Sequence, residues 1–149
     1  MKKTLLISLA LLLSLCAIAQ EKKVQRSALP PAVEKTVQAQ TATIRGFSQE
    51  RENGQTFYEA EMTVDGHSKD ILMDATGAIV EVEEQVAFDA LPAAVKAGLQ
   101  SKAGKGKIVK VESVTKHDKL VAYEAQITTN GKHTEAQVGP DGAALAHEE

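Results

Sequence analysis

Leu29, Val33 and Val37 recur at i, i+4 and i+8, and Leu91, Val95 and Leu99 repeat that spacing further along the chain. Each set makes a narrow apolar stripe on a helix of about three turns. Pro30 and Pro92 fall in the first turn, where a missing N–H costs nothing, and Ser27 and Asp89 stand where N-caps are expected. Gly98 weakens the second helix slightly. After each helix the period drops to two. Tyr58, Ala60, Met62 and Val64 alternate with Glu59, Glu61 and Thr63, which predicts a strand with one apolar and one wet face. Tyr123, Ala125 and Ile127 against Glu124 and Gln126 predict a second.

Turn residues divide the strands. Asn53-Gly54, Asp65-Gly66 and Asn130-Gly131 are hairpin turns because these residue types tolerate positive φ. Asp74-Ala75-Thr76-Gly77 and Pro140-Asp141-Gly142 mark the next turn in each half. A two-residue turn at Asn53-Gly54 sets Phe47 opposite Ala60 and turns it inward, while Ile44 is also inward. A bulge at Gly46 reconciles the two.

The matching segments keep one order. Ala28-Leu29-Pro30-Pro31-Ala32-Val33 returns as Ala90-Leu91-Pro92-Ala93-Ala94-Val95, and Tyr58-Glu59-Ala60-Glu61-Met62-Thr63 returns as Tyr123-Glu124-Ala125-Gln126-Ile127-Thr128. The short insertion between them falls near Gly104-Lys105-Gly106, which reads as a loop. The expectation is duplication: an α+β fold of two tandem repeats, each one helix packed on about four antiparallel strands, over residues 20–85 and 86–149.

Ahead of the repeats, residues 1–19 have the pattern of a signal peptide. Lys2 and Lys3 precede an apolar run at 5–15, and Ala17-Ile18-Ala19 supplies small residues for cleavage between Ala19 and Gln20. The run is shorter than the ~20 apolar residues of a spanning helix. Stable membrane insertion after cleavage is therefore not expected. Cys16 as a lipid-bearing cysteine is disfavoured by the bulky Leu15 before it. The reading is a periplasmic or secreted protein.

Cleavage would also remove Cys16, the single cysteine, and with it disulfide and thiol chemistry. The full chain has 17 Lys and Arg against 20 Asp and Glu, a net charge of −3; loss of Lys2 and Lys3 leaves 15 against 20, or −5. An acidic chain with no basic stripe and interleaved aromatics argues against nucleic acid. With no Trp, and Phe47, Phe57, Tyr58, Phe88 and Tyr123 as the aromatics, the core must be largely aliphatic.

Candidate chemistry is sparse. His67, His117, His133 and His147 lie at no metal-ligand spacing and read as turn and strand residues. Asp65, Asp70 and Asp74, or Glu81, Glu83 and Glu84, do not fit a calcium loop; the aspartates read as turn formers and the glutamates as a solvated strand end. No serine sits in a nucleophile elbow. No cofactor, metal or catalytic residue is nominated. Lys102, Lys105, Lys107 and Lys110 form the one basic patch, read as a solvated loop with phosphate or lipid head groups as the alternative. Phe57 falls on the polar strand face with Glu59 and Glu61, where its counterpart is Ala122. An exposed aromatic there is a candidate partner contact, with packing under a neighbouring lobe the other reading.

The Leu-Pro helix starts at Leu29-Pro30 and Leu91-Pro92, the Tyr-Glu-Ala strands at Tyr58 and Tyr123, and the element Met73-Asp74-Ala75-Thr76-Gly77 together resemble the PepSY-like domain. The likeness is to its tandem form, grouped with β-lactamase-inhibitor-like proteins. The third motif is degraded in the second half, where Gly139 stands in place of Asp74. The resemblance implies an extracytoplasmic, non-enzymatic protein-binding module, with inhibition or modulation of a separate peptidase or other hydrolase as its activity. The alternative expectation is a small-ligand or cation-binding periplasmic protein using a cleft between repeats.

Overall fold

A computed structural model describes residues 22–147; the expected leader, with Cys16 and the expected cleavage site at Ala19 and Gln20, lies outside them. The chain order is β1 (Lys22–Lys23), α1 (Pro31–Gln38), β2 (Thr43–Glu52), β3 (Gln55–Val64), β4 (His67–Asp74), β5 (Ile79–Gln85), α2 (Ala93–Ala103), β6 (Lys107–Lys116), β7 (Lys119–Thr129) and β8 (Lys132–Val138). All eight strands form one sheet in the order β1 to β8, every pair antiparallel.

This corrects the expected fold class. The protein is mainly β, a single eight-stranded sheet carrying two short helices, and not two α+β repeats. The difference lies at one joint. Glu81 to Gln85 of β5 pairs with Lys116 to Glu112 of β6, so the sheet crosses the expected boundary without a break. An outer strand of a separate half would leave a row of backbone donors and acceptors unpaired, and joining the two edges satisfies them. The second half also contributes three strands, not four. Side-chain alternation carries no information about which edge a strand joins.

Both helices lie on the same face of this sheet. Leu29, Val33 and Val37 bury their stripe against Phe47, Ala60, Met62, Ile71 and Met73. Leu91, Val95 and Leu99 do so against Val111, Ala125, Ile127 and Val138. Because Val82 pairs with both Ile71 and Thr115, the β5–β6 joint keeps one face continuous. The register slips between Ile44 and Gly46, and Phe47 stands opposite Ala60, buried. This is the bulge that lets Ile44 and Phe47 both face the core.

The helix starts differ from expectation. Ser27 and Asp89 sit in 3-10 turns at Arg26–Ala28 and Phe88–Ala90, and the residues capping α1 and α2 are Pro30 and Pro92. A residue before proline is driven to extended backbone, and Leu29 and Leu91 have ψ of 141° and 151°. That extended residue separates each 3-10 turn from its helix and moves the cap downstream.

The three predicted hairpin turns are present, with both central residues at positive φ in Asn53-Gly54, Asp65-Gly66 and Asn130-Gly131. A fourth, at His117-Asp118, adopts the same conformation without a glycine, at φ 47° and 62°. Its residue types gave no hairpin signal.

Candidate functional site

Strand alternation that buries one face of the sheet under the helices turns the other face away from them. Phe57, Glu59 and Glu61 of β3 lie there, beside Leu72 and Asp70 of β4 and Glu81 and Glu83 of β5. Beyond the joint the face continues through Glu112 and Val114 of β6, Glu124 of β7 and Gln137 of β8. No described helix covers it.

The three residues expected to contact a partner are thus on one face, each held differently. Phe57 is half-buried, not exposed, in a depression of about 290 Å³ that it shares with Leu72, Val80, Glu81 and Lys116. Glu59 accepts a hydrogen bond from Ser48 Oγ at 2.6 Å. Glu61 forms an ion pair with Lys23.

The structure also gathers a group that no local spacing announced. One carboxylate oxygen from each of Asp70, Glu83 and Glu112 lies within 4.8 Å of the others, on three strands spanning the β5–β6 joint. Arg45 pairs with Asp70 at 3.0 Å, and the Met62 N–H donates to the same oxygen at 3.3 Å. Lys110 Nζ donates to Glu112 Oε1 at 2.7 Å, and Ser68 Oγ donates to it at 3.2 Å. Glu112 is 2% exposed, and these two donors satisfy its buried oxygen.

Burial raises the Asp70 pKa above its ordinary value, against the opposing pull of the Met62 N–H and Arg45. Burial, then the carboxylates of Glu124, Glu81, Glu112 and Asp70, push Glu83 up to about 8. Near neutral pH Glu83 is therefore largely a neutral acid, able to donate a hydrogen bond. A proton and a lysine ammonium moderate the crowding of three acids.

The acidic runs singled out in the sequence come apart here. Asp65 is a turn residue at φ 49°. Asp74 accepts from the N–H groups of Thr76 and Ala78 at 2.8 and 3.1 Å, and the Thr76 hydroxyl holds its pKa low. Only Asp70 of that trio reaches the cluster. Glu81 and Glu83 are strand-interior residues at the joint, correcting the solvated strand end. Glu84 faces the other way, 3.0 Å from His67 and 3.1 Å from Lys69, and His67 foremost lowers its pKa. His133 contacts Thr128 at 3.1 Å. No histidine joins Asp70, Glu83 and Glu112 among the described residues.

Where the alternative expectation puts a cleft between two repeats, β5 and β6 are hydrogen-bonded neighbours. No described helix is long and apolar enough to cross a membrane.

No protein-family model matches the sequence, and no curated protein matches it. Solved structures do match. The fold superimposes with a TM-score of 0.62 on a protein from Bacteroides eggerthii DSM 20697 proposed to be periplasmic, at 17% identity over 78% of this chain and 86% of that one. A DUF2874 family protein from Bacteroides uniformis ATCC 8492 matches with a TM-score of 0.59, at 15% identity over 79% and 86% of the two chains. A BLIP-like protein from Bacteroides fragilis NCTC 9343 matches with a TM-score of 0.55, at 20% identity over 79% and 83%. At these identities the likeness is one of fold. The chain has the fold shared by BLIP-like and DUF2874 proteins.

Proposed function

We propose that this chain is an exported, non-enzymatic protein-binding module of PepSY-like type, which engages a second extracytoplasmic protein through the sheet face opposite its helices. The observation that carries the reading is that both helices pack on one side, leaving the other side of an eight-stranded sheet without a covering element among the described residues. That face carries carboxylates, amides and one half-buried aromatic, a set suited to hydrogen bonding with a partner around an apolar contact. Export through a leader at residues 1–19 supports the same reading, as do fold relatives described as periplasmic and BLIP-like. Inhibition or modulation of a peptidase or other hydrolase is the specific form we propose.

A photocrosslinking amino acid in place of Phe57 tests this in the native envelope, with the same group in place of Ala97 on the exposed side of α2 as the comparison. The expected result is a discrete protein adduct from position 57 and none from position 97. Adducts from position 97 alone, or from neither, would overturn the reading.

A further inference from the structure

A second site lies away from that face, where α2 ends and β6 begins. β5 stops at Gln85, and Val86 makes the last backbone bond to β6, its N–H donating to the Val111 carbonyl at 2.9 Å. The chain then leaves the sheet through the 3-10 turn at Phe88. The first residues of β6, 107–110, consequently have β7 on one side and no strand on the other. The gap is a cavity of about 500 Å³, within the ~300–1,000 Å³ range of small-molecule sites.

Its lining has two characters: Val86, Phe88, Ile108 and Val109 give it an apolar side, and Gln85, Gln100 and Lys110, the last paired with Glu112, give it a polar one. Val109 is the bulged residue of β6, between the register positions of Ile108 and Lys110, and stands 51% exposed. The corresponding bulged residue of β2, Arg45, is polar and ion-paired, whereas Val109 presents an apolar side chain to solvent at the cavity. The loop bordering the cavity carries the basic patch. Lys102, Lys105 and Lys107 alternate in sequence with the lining residues Ala103, Gly104, Gly106 and Ile108. All three are exposed, and none makes an ion pair among the described residues.

We propose that this cavity binds a free, single-chain anionic amphiphile, such as a long-chain fatty acid. The alkyl chain occupies the space between Phe88, Ile108 and Val109, and the carboxylate meets the lysines at the mouth. Charge complementarity selects the class: an apolar chain alone would leave three cations unused, and a small polar anion would leave the side formed by Phe88, Ile108 and Val109 uncovered. The proposal is independent of the sheet-face reading, which concerns other residues.

Isothermal titration of the purified protein with sodium dodecanoate, below its micelle concentration, tests it. Saturable binding of one equivalent is expected, with hexanoate at least tenfold weaker. The triple variant K102Q/K105Q/K107Q should lose at least tenfold in affinity, and V109E should abolish binding. Circular dichroism and melting temperature are checked for both, and all four positions are exposed enough to preserve the fold. Absence of saturable binding to the wild type, or equal binding by both variants, would overturn the proposal. So would co-sedimentation with phosphatidylglycerol vesicles in the absence of dodecanoate binding, which would make the lysines a membrane-surface patch.

Discussion

Gly77 stands so close to Ala32 that a Cβ on it would lie 2.5 Å from the Ala32 carbonyl oxygen. The β4–β5 turn is thereby pressed onto the first turn of α1, and Thr36 Oγ1 fastens it by donating to the Gly77 carbonyl at 2.7 Å. Gly142 bears the same relation to Ala94 of α2, and Gly98 in that helix meets the Gly142 carbonyl. The glycine that weakens α2 in isolation is what admits this contact. Gly77 and Gly142 also have φ of 80° and 79°. Gly77→Ala should therefore destabilise the protein by about 2–4 kcal/mol, combining left-handed backbone strain with overpacking. Gly54→Ala, with nothing near its added methyl group, should cost less. Urea denaturation of the two variants checks the order.

The His117-Asp118 turn holds two side-chain-bearing residues at positive φ. Replacing them with the Asn-Gly pair used elsewhere in this sheet should relieve that strain. We expect the double substitution H117N/D118G to raise stability by about 1 kcal/mol. A lower denaturation midpoint would show that the His-Asp pair makes contacts outweighing its backbone cost.

Tyr58 packs against the first apolar cluster and Tyr123 against the second. Since the sheet is continuous at β5–β6, damage to one cluster should be felt at both. Leu99→Ala, at a fully buried position in the second cluster, should cost about 2–5 kcal/mol. Unfolding followed by Tyr58 fluorescence in a Tyr123→Phe background should shift by as much as unfolding followed by Tyr123 in a Tyr58→Phe background. Unequal shifts would mean that the halves unfold separately despite the joint.

Glu83 sets an alkaline limit on stability. Its folded pKa, pushed up to about 8, lies above its ordinary value of 4.5. Between those values the unfolded chain has released this proton and the folded chain still holds it. The contribution of Glu83 is thus fully present below about pH 4.5 and is lost as pH rises toward 8. Relative to Glu83→Gln, the wild type should lose about 2–4 kcal/mol between pH 5 and pH 8. Asp70, also raised, remains in both proteins and acts in the same sense. Parallel stability–pH curves for the two proteins would contradict the assignment.

The sequence made the local rules visible and left the global ones hidden. The period-two pattern at Tyr58, Ala60 and Met62 gave the buried strand face, and placing Phe47 against Ala60 required the bulge that is present. Both follow from residues within one hairpin. The pairing of Glu83 with Val114 does not, because nothing in either strand names the other. The Asp70–Glu83–Glu112 cluster was hidden for the same reason, being assembled by three strands across that joint. Ser27 and Asp89 misled as caps because the residue type fits an N-cap while the proline three positions on displaces the helix start. Phe57 was placed on the correct face, but its neighbours Leu72 and Val80, which half-bury it, belong to other strands.

Every strand of this sheet has as its neighbour the strand next to it in the chain. Each pairing closes over a short stretch, so no step of assembly must wait for a distant segment to be made. A polypeptide emerging from its N-terminus can extend the sheet one strand at a time, through a hairpin or across one of the two helices, using the strand just formed as the template for the next. Both edges of the sheet, the two-residue β1 with the part of β2 it leaves uncovered and β8, keep outward rows of backbone groups, and β8 is the last of the described strands to be made.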